Sequence, residues 1–290
     1  MPSSKSRPSR ARSERRGTAQ HRAPAPAPAH GGRHELGQNF LVDRQLVAEI
    51  VELVERSLPS PHPIVELGPG GGALTRPLAE LGRPLTAVEL DPARADRLRR
   101  ELGARAEVVH ADLLRWPLPR HPHTVVANLP FHVTTAALRH LLDSPGWQRA
   151  VLLTQWEVAR RRCGVGGASM LTVQWAPWFR FRLRRRVPAT AFRPVPSVDG
   201  GLFTIERREA PLVDPRARRA YQRFVAEAFQ GRGATLAQRL AAAASASGGS
   251  LGAGAAKAWL RRRGIPASTP PGRLAPEDWA ALWDASRDRG

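Results

Sequence analysis

The segment Val65-Glu66-Leu67-Gly68-Pro69-Gly70-Gly71-Gly72 decides the fold of this chain of 290 residues. It joins a short apolar run to a stretch with helical spacing, and its glycines allow a tight turn that brings the backbone close to a ligand. Dinucleotide-binding proteins use a related turn, and a tight turn without a ligand fits the same residues. The segment therefore predicts the first strand, turn and helix of an α/β sheet.

Strand-like and helix-like segments alternate on both sides of this turn. A helix is predicted over 43–57, with Asp43 as its N-cap, because apolar residues recur there at helical spacing. Further strands are predicted over 63–67, 85–90, 106–110, 124–128 and 150–154, and further helices over 72–81, 92–102, 133–142 and 155–162. Segments 171–187 and 201–205 are predicted to form a closing antiparallel pair. This order predicts an α/β fold with a parallel, doubly wound sheet.

Composition divides the chain into three parts. Residues 1–33 are rich in Arg, Ser, Pro, Ala and Gly without a hydrophobic period, which predicts a disordered basic N-terminal arm. Residues 34–206 contain the predicted sheet. Residues 207–290 are rich in Ala and Arg between Gly and Ser clusters, which predicts a small helical C-terminal domain that binds RNA. Its predicted helices are 215–229, 253–263 and 276–285.

The formal charge of +20 and the sequence pI of about 11.7 favour a polyanionic partner, with nucleic acid ahead of an acidic membrane surface. Most basic residues are arginines, which bind phosphate bidentately and stack on bases. Cys163 is the only cysteine, which excludes an internal disulfide and a cysteine-rich zinc site, and no metal is expected. Because the sequence has no apolar run of about 18 residues, we expect a soluble, cytoplasmic protein without a membrane partner.

Polar side chains follow neighbouring strands of the predicted sheet. Glu89 ends the second strand, Asp112 follows the third and Asn128 ends the fourth. A carboxylate at Glu89 can accept hydrogen bonds from both hydroxyls of a ribose. Asp112 can accept from an adenine amino group, which Leu90 and Leu113 would flank. Each acid taken singly is also compatible with an exposed loop position, but together they predict an adenosine-containing cofactor at one edge of the sheet.

The tetrapeptide Asn128-Leu129-Pro130-Phe131 fits one difficult reaction, methyl transfer to an aromatic amine. An adenine amine is a poor nucleophile because its lone pair is delocalised into the ring, so two acceptors must hold its N–H groups. The Asn128 side-chain oxygen and the Leu129 carbonyl can do this, since a residue before proline is extended. Pro130 holds the turn, and Phe131 offers a stacking face for a base removed from its helix.

An ordinary turn that closes a strand remains the alternative for these four residues taken alone. A dehydrogenase would share the glycine turn and Glu89, but it has no evident use for the tetrapeptide. S-adenosylmethionine is therefore the better cofactor, and the residues together predict methyl transfer to adenine.

Four motifs connect this prediction with a known family. They are Leu36-Gly37-Gln38-Asn39-Phe40-Leu41, the glycine turn with Glu66, Asn128-Leu129-Pro130-Phe131, and Phe192-Arg193-Pro194-Val195-Pro196-Ser197-Val198-Asp199. On these motifs, residues 34–208 resemble the ribosomal RNA adenine N6-methyltransferases, which comprise the Erm antibiotic-resistance enzymes and the small-subunit adenine dimethyltransferases. The resemblance implies a Rossmann-like, S-adenosylmethionine-dependent methyltransferase sheet. Phe131 stands where tyrosine is usual, which keeps stacking but loses a hydroxyl hydrogen bond.

The resemblance also implies the site residues. Cofactor contacts are expected from Gln38, Asn39, Leu41, Gly68, Gly70, Glu89, Asp112, Leu113 and Asn128. The reacting amine is expected at Asn128, Leu129, Pro130 and Phe131. Phe192 is expected to border the target-base pocket, although a Pro-rich strand connection fits the composition of its segment equally well.

Arginines interleaved with aromatic residues follow the tetrapeptide. A surface that tracks RNA phosphates is predicted, and a solvated charged face is the alternative. The RNA contacts expected on this basis are Phe131, Phe192, Arg160, Arg161, Arg162, Arg182 and Arg184.

Segments 155–161 and 192–201 look like those of actinobacterial Erm proteins. We therefore expect a monomer that methylates an adenine of 23S ribosomal RNA and so confers resistance to macrolides, lincosamides and streptogramin B. A small-subunit (16S) adenine dimethyltransferase shares the chemistry and is the first alternative. A non-catalytic RNA-binding assembly factor is the second, against which the complete set of cofactor residues argues.

Overall fold

The computed structural model describes residues 39–56, 62–130 and 132–287. The strands found there are β1 (Phe40–Leu41), β2 (Ile64–Leu67), β3 (Leu85–Glu89), β4 (Glu107–His110), β5 (His123–Asn128), β6 (Trp147–Gln155), β7 (Phe179–Val187), β8 (Phe192–Arg193) and β9 (Gly200–Arg207). The helices are α1 (Arg44–Glu55), α2 (Thr75–Ala79), α3 (Pro92–Leu102), α4 (Thr134–Asp143), α5 (Trp156–Arg162), α6 (Met170–Trp175), α7 (Arg218–Gln230), α8 (Leu236–Ala246), α9 (Ala253–Arg262) and α10 (Pro276–Arg287).

The described strands form a seven-stranded sheet in the order β4-β3-β2-β5-β6-β9-β7 and a two-stranded sheet of β1 and β8. The strands from β4 to β6 are parallel, whereas β9 is antiparallel to both β6 and β7. The predicted α/β fold is therefore confirmed. Because β4, β3, β2 and β5 are adjacent and parallel, their carboxyl ends share one edge, where open α/β sheets bind ligands.

Local sequence signals account for the helices that flank the sheet. The Asp43 carboxylate accepts from the backbone N–H groups of Gln45 and Leu46, and Asp91 caps α3 in the same way ahead of Pro92. The helix predicted over 72–81 is shorter, because the glycine turn occupies its first residues and α2 begins at Thr75. None of the helices in the described ranges combines the length and apolar character needed to span a bilayer.

Two segments differ from the prediction. The strand expected over 171–187 begins only at Phe179, because the Ser169 hydroxyl caps the short helix α6 before it. Helix α8 was not predicted, since alanines give a weak hydrophobic period. The sequence does contain a signal for the start of this helix, because Thr235 and Gln238 form a reciprocal capping box.

The C-terminal helices pack against the sheet and share its core. Tyr221 and Phe224 of α7 and Trp279 of α10 belong to the same buried apolar cluster as Trp147 and Phe203 of the sheet. The helical character expected after residue 207 is confirmed, whereas the boundary between two folding units at that residue stays a prediction. The N-terminal arm predicted over 1–33 lies outside the described residues.

Gly201 allows α5 to lie directly on β9. A Cβ atom at Gly201 would stand 2.5 Å from the Ala159 Cβ and 3.3 Å from the Trp156 Cα. We expect Gly201→Ala to lower the free energy of unfolding by about 1–3 kcal/mol, because an added methyl group overpacks this contact. Urea denaturation followed by circular dichroism measures the change.

Gly254→Ala is the matched control for this prediction. Gly254 lies in the exposed first turn of α9, and a Cβ at this position would meet no other described atom within 4 Å beyond its chain neighbours and the backbone of its own helix. We expect a gain of roughly 0.5–1 kcal/mol, because alanine restricts the unfolded chain and favours the helix. Equal effects of the two substitutions would contradict the packing argument.

Candidate active site

The glycine turn after β2 is held by a buried carboxylate. Gly68, Gly70 and Gly72 have φ angles of 72°, 55° and 79°, in the left-handed region that favours glycine. Glu89, at the end of β3, is 4% exposed, and its Oε2 accepts from the Gly70 N–H at 2.8 Å. Its Oε1 accepts from the Asp91 N–H at 2.9 Å. A carboxylate has about four lone-pair positions, so both oxygens can each accept a further hydrogen bond.

Glu66 lies in the middle of β2 and was not predicted as a site residue on its own. Its side chain is 2% exposed, and its Oε2 accepts no hydrogen bond within the described part of the chain. Burial raises the pKa of Glu66 to about 7, an effect that the Thr75 hydroxyl opposes and the negative charge of Glu89 reinforces. The signal in the sequence was a single carboxylate in the apolar strand Ile64–Leu67.

Asp112 follows β4 at the same edge of the sheet. Its Oδ1 accepts from the Leu114 N–H at 2.9 Å, and its side chain is partly exposed. Leu113 approaches the glycine turn, since its Cδ2 would lie 3.8 Å from a Cβ atom on Gly68. Leu90 on the neighbouring strand end is 49% exposed. A carboxylate, two apolar side chains and the turn therefore lie at adjacent strand ends.

Asn128 ends β5, which is the neighbour of β2 in the sheet. Its Nδ2 donates to the backbone carbonyl of Asn39 at 3.2 Å. Because Nδ2 is the donating atom of the side chain, this bond leaves Oδ1 as an acceptor on the other side of the amide. The Leu129 N–H donates to the Leu153 carbonyl at 2.9 Å, and the Pro130 carbonyl accepts from the Val133 N–H at 3.1 Å. The turn after β5 is thus held from both sides.

The two-stranded sheet joins the segment of Asn39 to the segment of Phe192. In the β1–β8 pair, Leu41 is opposite Phe192 and Phe40 is opposite Arg193. The side chains of Leu41 and Phe192 are 5% and 2% exposed and pack in one apolar cluster. Phe40 packs on the glycine turn, since its Cε1 would lie 3.3 Å from a Cβ atom added at Gly70. This pairing has no sequence-local signal.

The predicted RNA-binding arginines differ in how far their guanidinium groups bind other groups of the protein. Arg160 pairs with Glu157, and Arg162 donates to the Ser169 hydroxyl at 2.7 Å. Arg184 donates to Thr204 and lies near Glu206. Arg161 is exposed, and Arg182 keeps 55% of its side-chain surface exposed. Gln38 and Phe131, also predicted site residues, lie outside the described residues.

These features fit S-adenosylmethionine. Glu66 supplies a buried acceptor, and the turn at Gly68 and Gly70 supplies a close backbone approach that a side chain would fill. Glu89 keeps acceptor positions that fit ribose hydroxyls, and Asp112 with Leu113 offers a polar and an apolar side chain that fit an adenine, so these roles stay predictions. When bound, this cofactor supplies an electrophilic methyl group.

Comparisons with known proteins agree with this geometry. The model of the family "Ribosomal RNA adenine dimethylase" matches residues 29–251. The chain is 48% identical to the mycinamicin-resistance protein MyrB of Micromonospora griseorubida, over 91% of this chain and 82% of that protein. It is 51% identical to an rRNA adenine N-6-methyltransferase of Corynebacterium diphtheriae, over 70% of this chain and 79% of that protein.

The crystal structure of the 23S rRNA methyltransferase ErmE superposes with a TM-score of 0.74 at 33% identity, covering 86% of this chain and 99% of that chain. The chain is also 38% identical to the ribosomal RNA small subunit methyltransferase A of Cutibacterium acnes, over 75% of this chain and 77% of that protein. The family match covers more than half of the chain, and it includes the residues of the candidate site. The chain therefore belongs to the ribosomal RNA adenine dimethylase family and is an S-adenosylmethionine-dependent ribosomal RNA adenine N6-methyltransferase.

Proposed function

We propose that this enzyme methylates one adenine in the peptidyl-transferase region of 23S ribosomal RNA and thereby blocks the binding of macrolides, lincosamides and streptogramin B. The observation that carries the proposal is the Asn128 amide at the end of β5, oriented by Asn39 beside the turn that Glu89 holds. Two relatives support the choice of RNA, because MyrB is named for mycinamicin resistance and ErmE is a 23S rRNA methyltransferase.

The cofactor residues have separate roles in this proposal. Glu66 accepts a hydrogen bond from the ammonium group at the methionine end, while Gly68 and Gly70 let that end approach the backbone. The remaining lone pairs of Glu89 accept from the ribose hydroxyls. Asp112 and Leu113 hold the adenine ring, and Gln38, Asn39 and Leu41 belong to the segment that covers the cofactor.

Asn128 and Leu129 orient the target amine. The Asn39 carbonyl holds Nδ2, so Oδ1 of Asn128 accepts from one N–H of the target adenine and the Leu129 carbonyl accepts from the other. These two bonds direct the nitrogen lone pair out of conjugation with the ring. Pro130 keeps the turn rigid, and Phe131 stacks on the displaced base. Alignment of reactants of this kind can account for roughly 7–11 kcal/mol of a reaction barrier.

No general base is needed in this scheme. The amine becomes acidic only as the new bond forms, so water can remove its proton afterwards. The RNA is held by phosphate contacts with the exposed arginines, above all Arg161 and Arg182, with Arg160, Arg162 and Arg184 beside them and Phe192 close to the base pocket. We propose that the enzyme acts as a cytoplasmic monomer.

A small-subunit target is the second candidate, because the chain also matches ribosomal RNA small subunit methyltransferase A. Incubation with labelled S-adenosylmethionine and protein-free 23S and 16S RNA separates the two. We expect label in 23S RNA at a single adenine, located by primer extension and weighed by mass spectrometry. Label confined to 16S RNA would favour the small-subunit target instead.

Asn128→Ala tests the role of the amide. We expect kcat to fall by more than about 100-fold, as when one pre-oriented hydrogen-bonding group is removed from an active site, while the Kd for RNA changes little. Gln148→Ala is the matched control. Gln148 carries the same kind of amide at the start of β6, away from the end that lies beside Asn128, and its amide nitrogen, Nε2, donates to the nearby Gly146 carbonyl. Near-normal turnover of the Asn128 variant would refute the assignment.

Glu66→Gln tests the buried carboxyl group. In wild type the folded-state pKa is about 7 and the unfolded value about 4.5, so the folded protein binds the extra proton between these values. The stability supplied by protonated Glu66 is therefore complete below about pH 4.5 and is lost as the pH rises to about 7.

We expect Glu66→Gln to gain stability relative to wild type over this pH window, by on the order of 3 kcal/mol in total. Urea denaturation at pH 5, 6, 7 and 8 measures the difference between the two proteins. The same substitution should weaken S-adenosylmethionine binding at pH 8, where wild-type Glu66 is ionised and can accept from the ammonium group. A stability difference that does not change with pH would contradict the assignment.

A further inference from the structure

Arg186 is held against an aromatic ring at the carboxyl edge of the sheet. Its Cζ lies over the Trp156 ring, 5.5 Å from the ring centroid. Its Nε donates to Oδ2 of Asp199 at 2.7 Å, and the other oxygen of Asp199 accepts from the Ala189 N–H at 3.0 Å. The guanidinium group is therefore fixed on one face by Trp156 and on one side by Asp199. Arg186 nevertheless keeps 61% of its side-chain surface exposed.

The backbone around this group is equally well defined. The Trp156 N–H donates to the Asp199 carbonyl at 2.9 Å, which joins the start of α5 to the end of the loop before β9. Gly201 packs against Trp156, since a Cβ atom added at Gly201 would lie 3.4 Å from Cε3 of the Trp156 ring. Arg186 is opposite Gly201 in the β7–β9 pair. Two strands, a helix and a loop thus determine where the guanidinium lies.

This group lies on the same edge of the sheet as Asn128. In the β5–β6 pair Asn128 is opposite Leu153, and Trp156 follows Leu153 by three residues. With a rise of about 3.3 Å per residue and about 4.8 Å between strands, the Cα atoms of Asn128 and Arg186, which is three strands away, are roughly 15 Å apart. The Arg186 guanidinium lies over Trp156, whose Cα is roughly 11 Å from that of Asn128. A nucleotide next to one that reacts at Asn128 can reach this distance.

The surroundings suit an unpaired nucleotide. Val195 and Val198, on the loop between β8 and β9 that Asp199 ends, are 52% and 43% exposed and add apolar surface to this loop. Arg161 on α5 is exposed nearby in sequence and can contact a phosphate. The site therefore offers a flat cationic group, apolar side chains and a basic border, which together match a base with its phosphate.

We infer that Arg186, supported by Trp156 and Asp199, stacks on the base of a nucleotide adjacent to the target adenine and so contributes to the choice of RNA site. This inference rests on the proposed methylation of an adenine in ribosomal RNA. Asp199 already compensates the charge of Arg186 and occupies one of its edges, so the flat outer face is the part left for a ligand. Planar guanidinium groups stack on bases in this way, whereas a lysine ammonium group does not.

A double-mutant cycle tests the inference. The probe is a labelled RNA stem-loop from the peptidyl-transferase region of 23S RNA, with an abasic site placed in turn at each neighbour of the target adenine. Binding is measured by fluorescence anisotropy. One abasic site should raise the wild-type Kd by roughly 5–150-fold, which corresponds to one stacked base. Arg186→Ala should raise the Kd for intact RNA to a similar extent and should bind the abasic RNA no more weakly than the intact one.

Two further variants separate stacking from charge. Arg186→Lys keeps the charge but not the planar group, so it should behave like Arg186→Ala. Arg180→Ala removes from the same strand an exposed charge that stacks on no ring among the described residues, and should keep the wild-type ratio between abasic and intact RNA. The inference is overturned if Arg186→Lys or Arg186→Ala keeps that ratio, or if no neighbouring abasic site affects wild type. Because the readout is binding, absence of methyl transfer to 23S RNA would refute the proposed function separately.

Discussion

The candidate active site depends on the buried carboxylate of Glu89. Its two oxygens accept from the Gly70 and Asp91 N–H groups, so one side chain joins the turn after β2 to the start of α3 after β3. Donors of this kind offset the cost of burying a charged carboxylate, and the carboxylate in turn gives the Gly70 N–H of the turn a partner. The Glu89 carboxylate and the glycine turn therefore stabilise each other before a cofactor binds.

A second set of contacts joins the glycine turn to the turn after β5 and to β8. The segment of Asn39 and Phe40 packs on the glycine turn, pairs with β8 through Leu41 and Phe192, and orients Asn128 through one carbonyl. A movement of this segment would therefore affect the turn, the amide and the strand before the Pro-rich loop together. This arrangement gives a physical reason for the motif around Asn39, since a short strand joins the glycine turn, Asn128 and the segment of Phe192.

The basic surface has two kinds of arginine. Some guanidinium groups satisfy acceptors of the protein itself, such as Arg162 with Ser169 and Arg185 with Glu49. Others, such as Arg161 and Arg182, are more exposed and suit contacts with phosphate. Arg186 combines both roles, because Asp199 and Trp156 fix it while its outer face stays exposed. Net charge predicts a polyanionic partner. The contacts of each arginine within the protein then indicate which guanidinium groups are exposed enough to bind that partner.

The sequence by itself determined the order of strands and helices over residues 43–162, the glycine turn, and the placement of Glu89, Asp112 and Asn128 at strand ends. These features follow from side-chain periodicity and turn chemistry, which act over a few residues. Only the tertiary structure decided that one oxygen of the buried Glu66 has no hydrogen-bond partner among the described residues, that β1 pairs with β8, and that alanine-rich α8 is a helix. It also decided the contact of Asn128 with Asn39, 89 residues apart, and that of Arg185 with Glu49, 136 residues apart. The physical reason is that burial and hydrogen-bond partners depend on segments distant in sequence, which no local pattern contains.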